Sequence, residues 1–189
     1  IHTQKVGAWM DHIGRTDDDF RCGPQVSRDD DVRDAMIRAH ESPCRIHNNC
    51  SGKHAGFLTL AKHLGAGPDY VDPEHPVQQA CLEAFERMTQ ESSPGFGIDG
   101  CSAPNYACTL HAMARAMAAY AVAEDDSPQG LLRNAMAAHP DLVAGEGRAC
   151  TRLMRAANGK VALKTGAEGY FVAILPDQKM GVALKITDG

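Results

Sequence analysis

Aromatic side chains make up only 5% of this 189-residue sequence, and there is a single tryptophan. Single-stranded bases stack on aromatic platforms, and a phosphate backbone needs a basic face. Net charge here is -5, with both signs interspersed, so nucleic acid is excluded as a partner. Long apolar runs are also missing. A bilayer span needs roughly 20 consecutive apolar residues, and no basic n-region precedes an apolar h-region, so neither membrane nor export is indicated. The cysteines are odd in number and scattered, at Cys22, Cys44, Cys50, Cys81, Cys101, Cys108 and Cys150. A secreted disulfide framework does not look like that. They imply a reducing compartment, taken as the cytoplasm, with free thiols and room for one metal.

What is present suffices for a real core, since a chain of this length buries ~70% of its unfolded surface. A single domain is expected, helical over 1–158 and antiparallel strands over 160–187. Ile1 is not an initiator methionine, and the last residues stop as a strand leaves its sheet. The chain therefore reads as an internal piece of something longer.

The densest chemistry runs from His47 to Gly56, His-Asn-Asn-Cys-Ser-Gly-Lys-His-Ala-Gly. It ends where Phe57, Leu58, Leu60, Ala61 and Leu64 begin a helical apolar period, so it opens a helix. Asn48, Asn49 or Ser51 can cap it, and the positive end of the dipole then lies beside Cys50. Cys50 and Lys53 share a face. An ammonium beside a thiol at a helix start favours thiolate, which is both a nucleophile and a soft metal ligand. A phosphate-binding loop is excluded, because it needs glycine and Ser/Thr where His47 and His54 stand. Ser51 and Lys53 are too close for a Ser-x-x-Lys pair.

Along the rest of the chain, helices are expected over 4–13, from Asp29-Asp30-Asp31 to about Ala39, and over 77–88. A long alanine- and methionine-rich one is expected from Ala103 to Ala123, then others after Ser127-Pro128 and around 153–156. Arg45-Ile46 reads as extended. Cys81 and Cys108 read as small buried hydrophobes. The acidic triplet Asp17-Asp18-Asp19 lacks any EF-hand continuation and reads as a solvated turn. Gly97-Ile98-Asp99-Gly100-Cys101 describes a tight turn that lets backbone approach something closely. The period then changes to two, giving strands near 161–164, 170–175 and 181–186 in a meander. Lys164-Thr165-Gly166 ends the first of them, and a Lys-Thr-Gly on a sheet edge is one signature of serine β-lactamases and penicillin-binding proteins.

Taken together, the segments at 47–56, Asp-Pro-Glu-His-Pro-Val-Gln-Gln at 72–79, Gly-Ile-Asp-Gly-Cys at 97–101 and Lys-Thr-Gly-Ala-Glu-Gly at 164–169 resemble the rhizobial-type L-asparaginases. The resemblance spans nearly the whole chain. It implies an α+β, serine β-lactamase-like fold, with a helical cluster packed on a partial antiparallel sheet. It implies hydrolysis of L-asparagine to aspartate and ammonia, a Zn2+ ion held by Cys50, Lys53 and Cys101, and a homodimer. Lys164 would be the catalytic lysine, lowering serine pKa values and holding substrate charge. His47, Asn48 and Gly166 are the candidate substrate contacts.

One departure matters: no Ser-x-x-Lys, the family's nucleophile pair, occurs in these residues. The chain is therefore expected to be incomplete as a catalyst. Two rivals stand beside this reading: a non-catalytic zinc-binding or thiol-sensing module, and a cysteine amidase using Cys50.

Overall fold

The computed structural model describes residues 1–189 and is a mixed α+β molecule with eight helices and two small antiparallel sheets. The chain divides into two compact units. One comprises Ile1–Ala84 with Gly95–Ala107, the other Phe85–Pro94 with Cys108–Gly189.

The first unit holds α1 (His2–Ile13), α2 (Asp30–Arg38), α3 (Ser51–Leu64) and the start of α4 (Pro76–Thr89). Beyond them come β1 (Phe96–Ile98) and β2 (Pro104–Tyr106). Gly14 and Gly65 end α1 and α3 in the left-handed conformation, which a residue without Cβ adopts at little cost. Two other glycines shape the packing. Gly52 and Gly56, one turn apart on α3, leave a shallow groove into which α1 sets Val6, 4.0 Å from where a Gly52 Cβ would lie. Trp9 stands 3.9 Å from the same position at Gly56. The indole Nε1 then donates to Thr59 Oγ1 at 3.0 Å. Beneath lies a core of Met10, Ile13, Phe20, Ala55, Leu58, Ala61, Tyr70 and Val77, joined by Cys101 and Ala103 of the hairpin. By contrast, α2 buries no side chain; it is held at its start by Asp29, which accepts from Val32 N–H at 3.1 Å.

The second unit holds the end of α4, then α5 (Leu110–Ala121), α6 (Pro128–Ala138), α7 (Pro140–Ala144) and α8 (Ala149–Ala156). Its sheet consists of β3 (Ala162–Thr165), β4 (Tyr170–Leu175) and β5 (Met180–Lys185). These strands pair in the order β3-β4-β5, with Lys164 opposite Val172 and Val172 opposite Ala183, as the period-two pattern predicts. Alanine-rich α5 lies so close to β5 that a Cβ on Gly181 would sit 2.2 Å from both the Ala114 carbonyl oxygen and the Ala118 nitrogen. Thr109 caps α5, accepting from Ala112 N–H at 3.1 Å.

Two expectations from the sequence are corrected. The single helix over 103–123 is instead β2, a short connection and α5. Phe96↔Tyr106 pairing recruits the segment into a hairpin, and the helix starts only where Thr109 caps it. Arg45-Ile46 is not extended but forms a 3-10 turn with His47, because both Asp17 carboxylate oxygens accept from Arg45 N–H (3.2 Å) and Ile46 N–H (2.7 Å).

Candidate metal centre

Two pieces of backbone, both in the first unit, build the site. The first is the start of α3. Cys50 occupies the N-cap position without capping through its own side chain. Asn48 organises the entry instead: its Oδ1 accepts from Cys50 N–H at 2.9 Å while its Nδ2 donates to the Gly23 carbonyl at 2.8 Å. Cys50 is thereby fixed, and Lys53 follows one turn later on the same face.

The second piece is the loop between β1 and β2. Asp99 N–H donates to the Ala103 carbonyl and Ser102 N–H to the Asp99 carbonyl, both at 2.9 Å. Ser102 takes φ 73°, a left-handed value that usually selects glycine. This tight closure tucks Cys101 inward until it is almost fully buried, and Asp99 Oδ1 accepts from Gly100 N–H at 2.7 Å.

The two pieces meet. The sulfurs of Cys50 and Cys101 and a carboxylate oxygen of Asp99 all lie within 4.8 Å of one another. Cys101 Sγ is 3.6 Å from Asp99 Oδ2, and Lys53 Nζ donates to the same oxygen at 3.3 Å. Two thiols, a carboxylate and an amine thus converge at one half-buried spot. That donor set suits a thiophilic cation of tetrahedral preference: thiolates select Zn2+ and similar ions over Mg2+ or Ca2+.

Burial and the mutual charges of these groups set their protonation. Burial pushes the Cys50 thiol up to about 11, against the pull of Lys53 and with the help of Cys101 and Asp99. The thiolate expected from Lys53 and the helix start is therefore overruled by desolvation. Burial raises Cys22 to about 11 too, with Cys101 and Cys50 adding to it. Burial would lower Lys53, but Cys101, Cys50 and Asp99 outweigh it and its pKa is raised. For Asp99 burial works upward; Lys53 and the Gly100 N–H prevail, and its pKa is lowered.

Of the residues singled out in the sequence, Cys50, Lys53 and Cys101 are brought together. Asn48 lies beside them, buried, with its amide engaged at both ends. His47 Nδ1 accepts from Cys44 N–H at 3.2 Å and is 3.3 Å from Cys44 Sγ. Lys164 and Gly166 are in the second unit, where Lys164 Nζ, exposed, donates to the Thr165 carbonyl at 3.0 Å and Gly166 N–H to the Tyr170 carbonyl at 2.7 Å. Two residues of the site went unassigned in the sequence. Asp99 was visible only as part of a tight turn. His54, directly after Lys53, is wholly buried, and burial first, then Lys53, lowers its pKa to about 4.

A family model for L-asparaginase II matches residues 1–189, the full chain. The chain belongs to the L-asparaginase II family. This is a family of amidohydrolases, and the resemblance read from the four sequence segments is borne out. No curated protein matches the chain. In this L-asparaginase II family member, the segments at 47–56 and 97–101 are the two pieces of backbone from which the candidate metal centre is built.

Proposed function

We propose that this protein acts on L-asparagine, hydrolysing its side-chain amide to give L-aspartate and ammonia, and that it carries one Zn2+ at the Cys50–Cys101 centre. The observation that carries this reading is the convergence of Cys50, Asp99 and Cys101 in a chain matched throughout by an amidohydrolase family. Lys53 is the nitrogen ligand in this reading. As a neutral amine it still donates an N–H to Asp99, so the pair at 3.3 Å is kept when the ammonium proton leaves. Zn2+ held there would supply a fixed positive charge in a half-buried place. Asn48 orients Cys50, Asp99 orients Lys53, and the closed turn at 99–103 presents Cys101.

Lys164, on the edge strand β3, is assigned the catalytic lysine's role of holding charge near substrate, with His47, Asn48 and Gly166 as candidate substrate contacts. A serine β-lactamase-like architecture, a homodimer and the cytoplasm belong to the same reading. The thiols support a reducing location, since all the cysteines are free, and no helix is long and apolar enough to cross a membrane. These residues contain no Ser-x-x-Lys, so ammonia release by this chain alone is expected to be weak.

The test is zinc content of the purified chain beside its Cys101→Ser variant, with ammonia release from L-asparagine followed in parallel. About one zinc per chain, lost in the variant, supports the centre. A folded parent that binds none sinks it. Rapid ammonia release that alkylation abolishes and a chelator leaves untouched would favour Cys50 as a nucleophile instead.

A further inference from the structure

Strand β3 lies at one edge of the three-stranded sheet, and its last residue turns its backbone polar groups off that edge. In an antiparallel ladder, residues alternate between exchanging hydrogen bonds with the neighbouring strand and pointing their N–H and carbonyl away from it. Gly166 N–H donates to the Tyr170 carbonyl, so Gly166 faces β4. Thr165, one residue earlier and opposite Phe171, therefore faces the open edge. Both of its outward groups are nevertheless engaged. The N–H donates to Cys150 Sγ at 3.2 Å, and the carbonyl accepts from Lys164 Nζ at 3.0 Å.

Cys150 is held in place for this from two directions. It is the second residue of α8 and is almost fully buried, in a cluster with Met154, Leu163 and Ala173. Its neighbour Thr151, wholly buried, has its hydroxyl 3.1 Å from the Pro140 carbonyl and 2.5 Å from that of Gly145, which pins the first turn of the helix. A thiol at position 150 fills apolar volume and still accepts a hydrogen bond. No hydrocarbon side chain does both.

We propose that Cys150 is a positioning residue for Lys164: its sulfur holds the Thr165 N–H, and the Thr165 carbonyl, fixed by that bond, holds the Lys164 ammonium at the edge of β3. The N–H and carbonyl of one strand residue point to the same side, so a movement that frees the first from sulfur also carries the second away from Lys164. Thr165 Oγ1 ties the same residue to the turn that follows, at 3.2 Å from the Gly166 carbonyl and 3.3 Å from that of Tyr170. The consequence for substrate rests on Lys164 being the catalytic lysine. The tether itself is a property of the second unit alone.

Three measurements on the full chain test it. Amide hydrogen exchange by NMR needs no variant: Thr165 N–H, though it faces an open edge, should be protected about tenfold or more relative to a free peptide. Exchange at the free-peptide rate overturns the proposal. Cys150→Val keeps the volume and removes the acceptor, while Cys150→Ser keeps an acceptor and gives up volume. Valine should lose about threefold to tenfold of the Thr165 protection, the worth of one hydrogen bond, and serine should stay within about twofold of the parent. A residue that only fills the core predicts the reverse order. If serine loses more than valine, or protection merely follows melting temperature, the proposal fails.

Trace acylation of the lysines, read by mass spectrometry against exposed Lys179, then follows the ammonium. Lys164, released from the Thr165 carbonyl, should react about threefold faster or more in the valine variant and at the parent's rate in the serine variant; equal rates in all three overturn the link to Lys164. L-Asparagine should slow acylation of Lys164 in the parent, and half-protection should need a higher concentration in the valine variant. A parent whose Lys164 labels equally with and without L-asparagine, while Thr165 is protected, fails the catalytic assignment of Lys164 and leaves the Cys150 tether standing.

Discussion

Zn2+ binding at the candidate centre would displace protons, and the number displaced would identify the third ligand. Cys50, pushed up to about 11, is protonated at neutral pH and gives up one proton whichever ligand set is used. Beyond what the two cysteines release, Lys53, also raised, gives up a further proton only if its nitrogen binds. Asp99, lowered, is already ionised and gives up none. Each displaced proton makes apparent affinity rise about tenfold per pH unit below the group's pKa. The perturbation is Lys53→Gln, which removes that proton and, by taking away the pull of Lys53, can only push the Cys50 thiol further up, so Cys50 still gives up its one proton. With Lys53 as a ligand, raising the pH from about 6 to about 8 should strengthen binding in the parent about a hundredfold more than in the variant. The assay is competition against a chelator of known proton stoichiometry, with proton release measured in two buffers of different ionisation enthalpy. Parallel slopes in parent and variant would refute Lys53 as a ligand and make Asp99 the third donor.

Other outcomes follow from single contacts. His54 falls from its ordinary 6.5 to about 4 through burial, so below about pH 6.5 the unfolded chain takes up a proton the folded one refuses. Unfolding free energy should fall by about 3 kcal/mol between neutral pH and about pH 4, and urea melts of His54→Gln should lack that acid limb. Gly181→Ala forces a Cβ to within 2.2 Å of the α5 backbone, so it should cost about 1–3 kcal/mol or more, whereas Gly23→Ala, facing open space, should melt within a degree or two of the parent. Ser102→Gly relieves a left-handed serine at φ 73° and should stabilise by about 1 kcal/mol in chemical denaturation.

Much of this was readable from periodicity. Phe57 to Leu64 announced α3, and alternation after Val161 announced the three-strand meander, because both depend on neighbours close in sequence. The hairpin at 96–106 did not, since its strands are too short for alternation to register and are made by Phe96 finding Tyr106. The candidate metal centre was half legible for the same reason. Cys50 and Lys53 declare themselves by spacing, and Cys101 by the glycines around it. Asp99 has meaning only once the turn closes, and His54 looked like one more polar residue at a helix start until it proved wholly buried. The Cys50 thiolate was misjudged because the sequence shows a nearby lysine but not the desolvation that outweighs it.

The hairpin that presents Asp99 and Cys101 is small, with three residues in each strand and every residue of β1 exposed. Its grip on α3 at this point runs through the very atoms that would hold an ion. Bound Zn2+ would therefore act as a removable staple between segments about fifty residues apart, and a crosslink of that span restrains the unfolded chain by about 4 kcal/mol. Chelation would then loosen the 95–107 segment locally, exposing Cys101 to thiol reagents before the helices beneath give way.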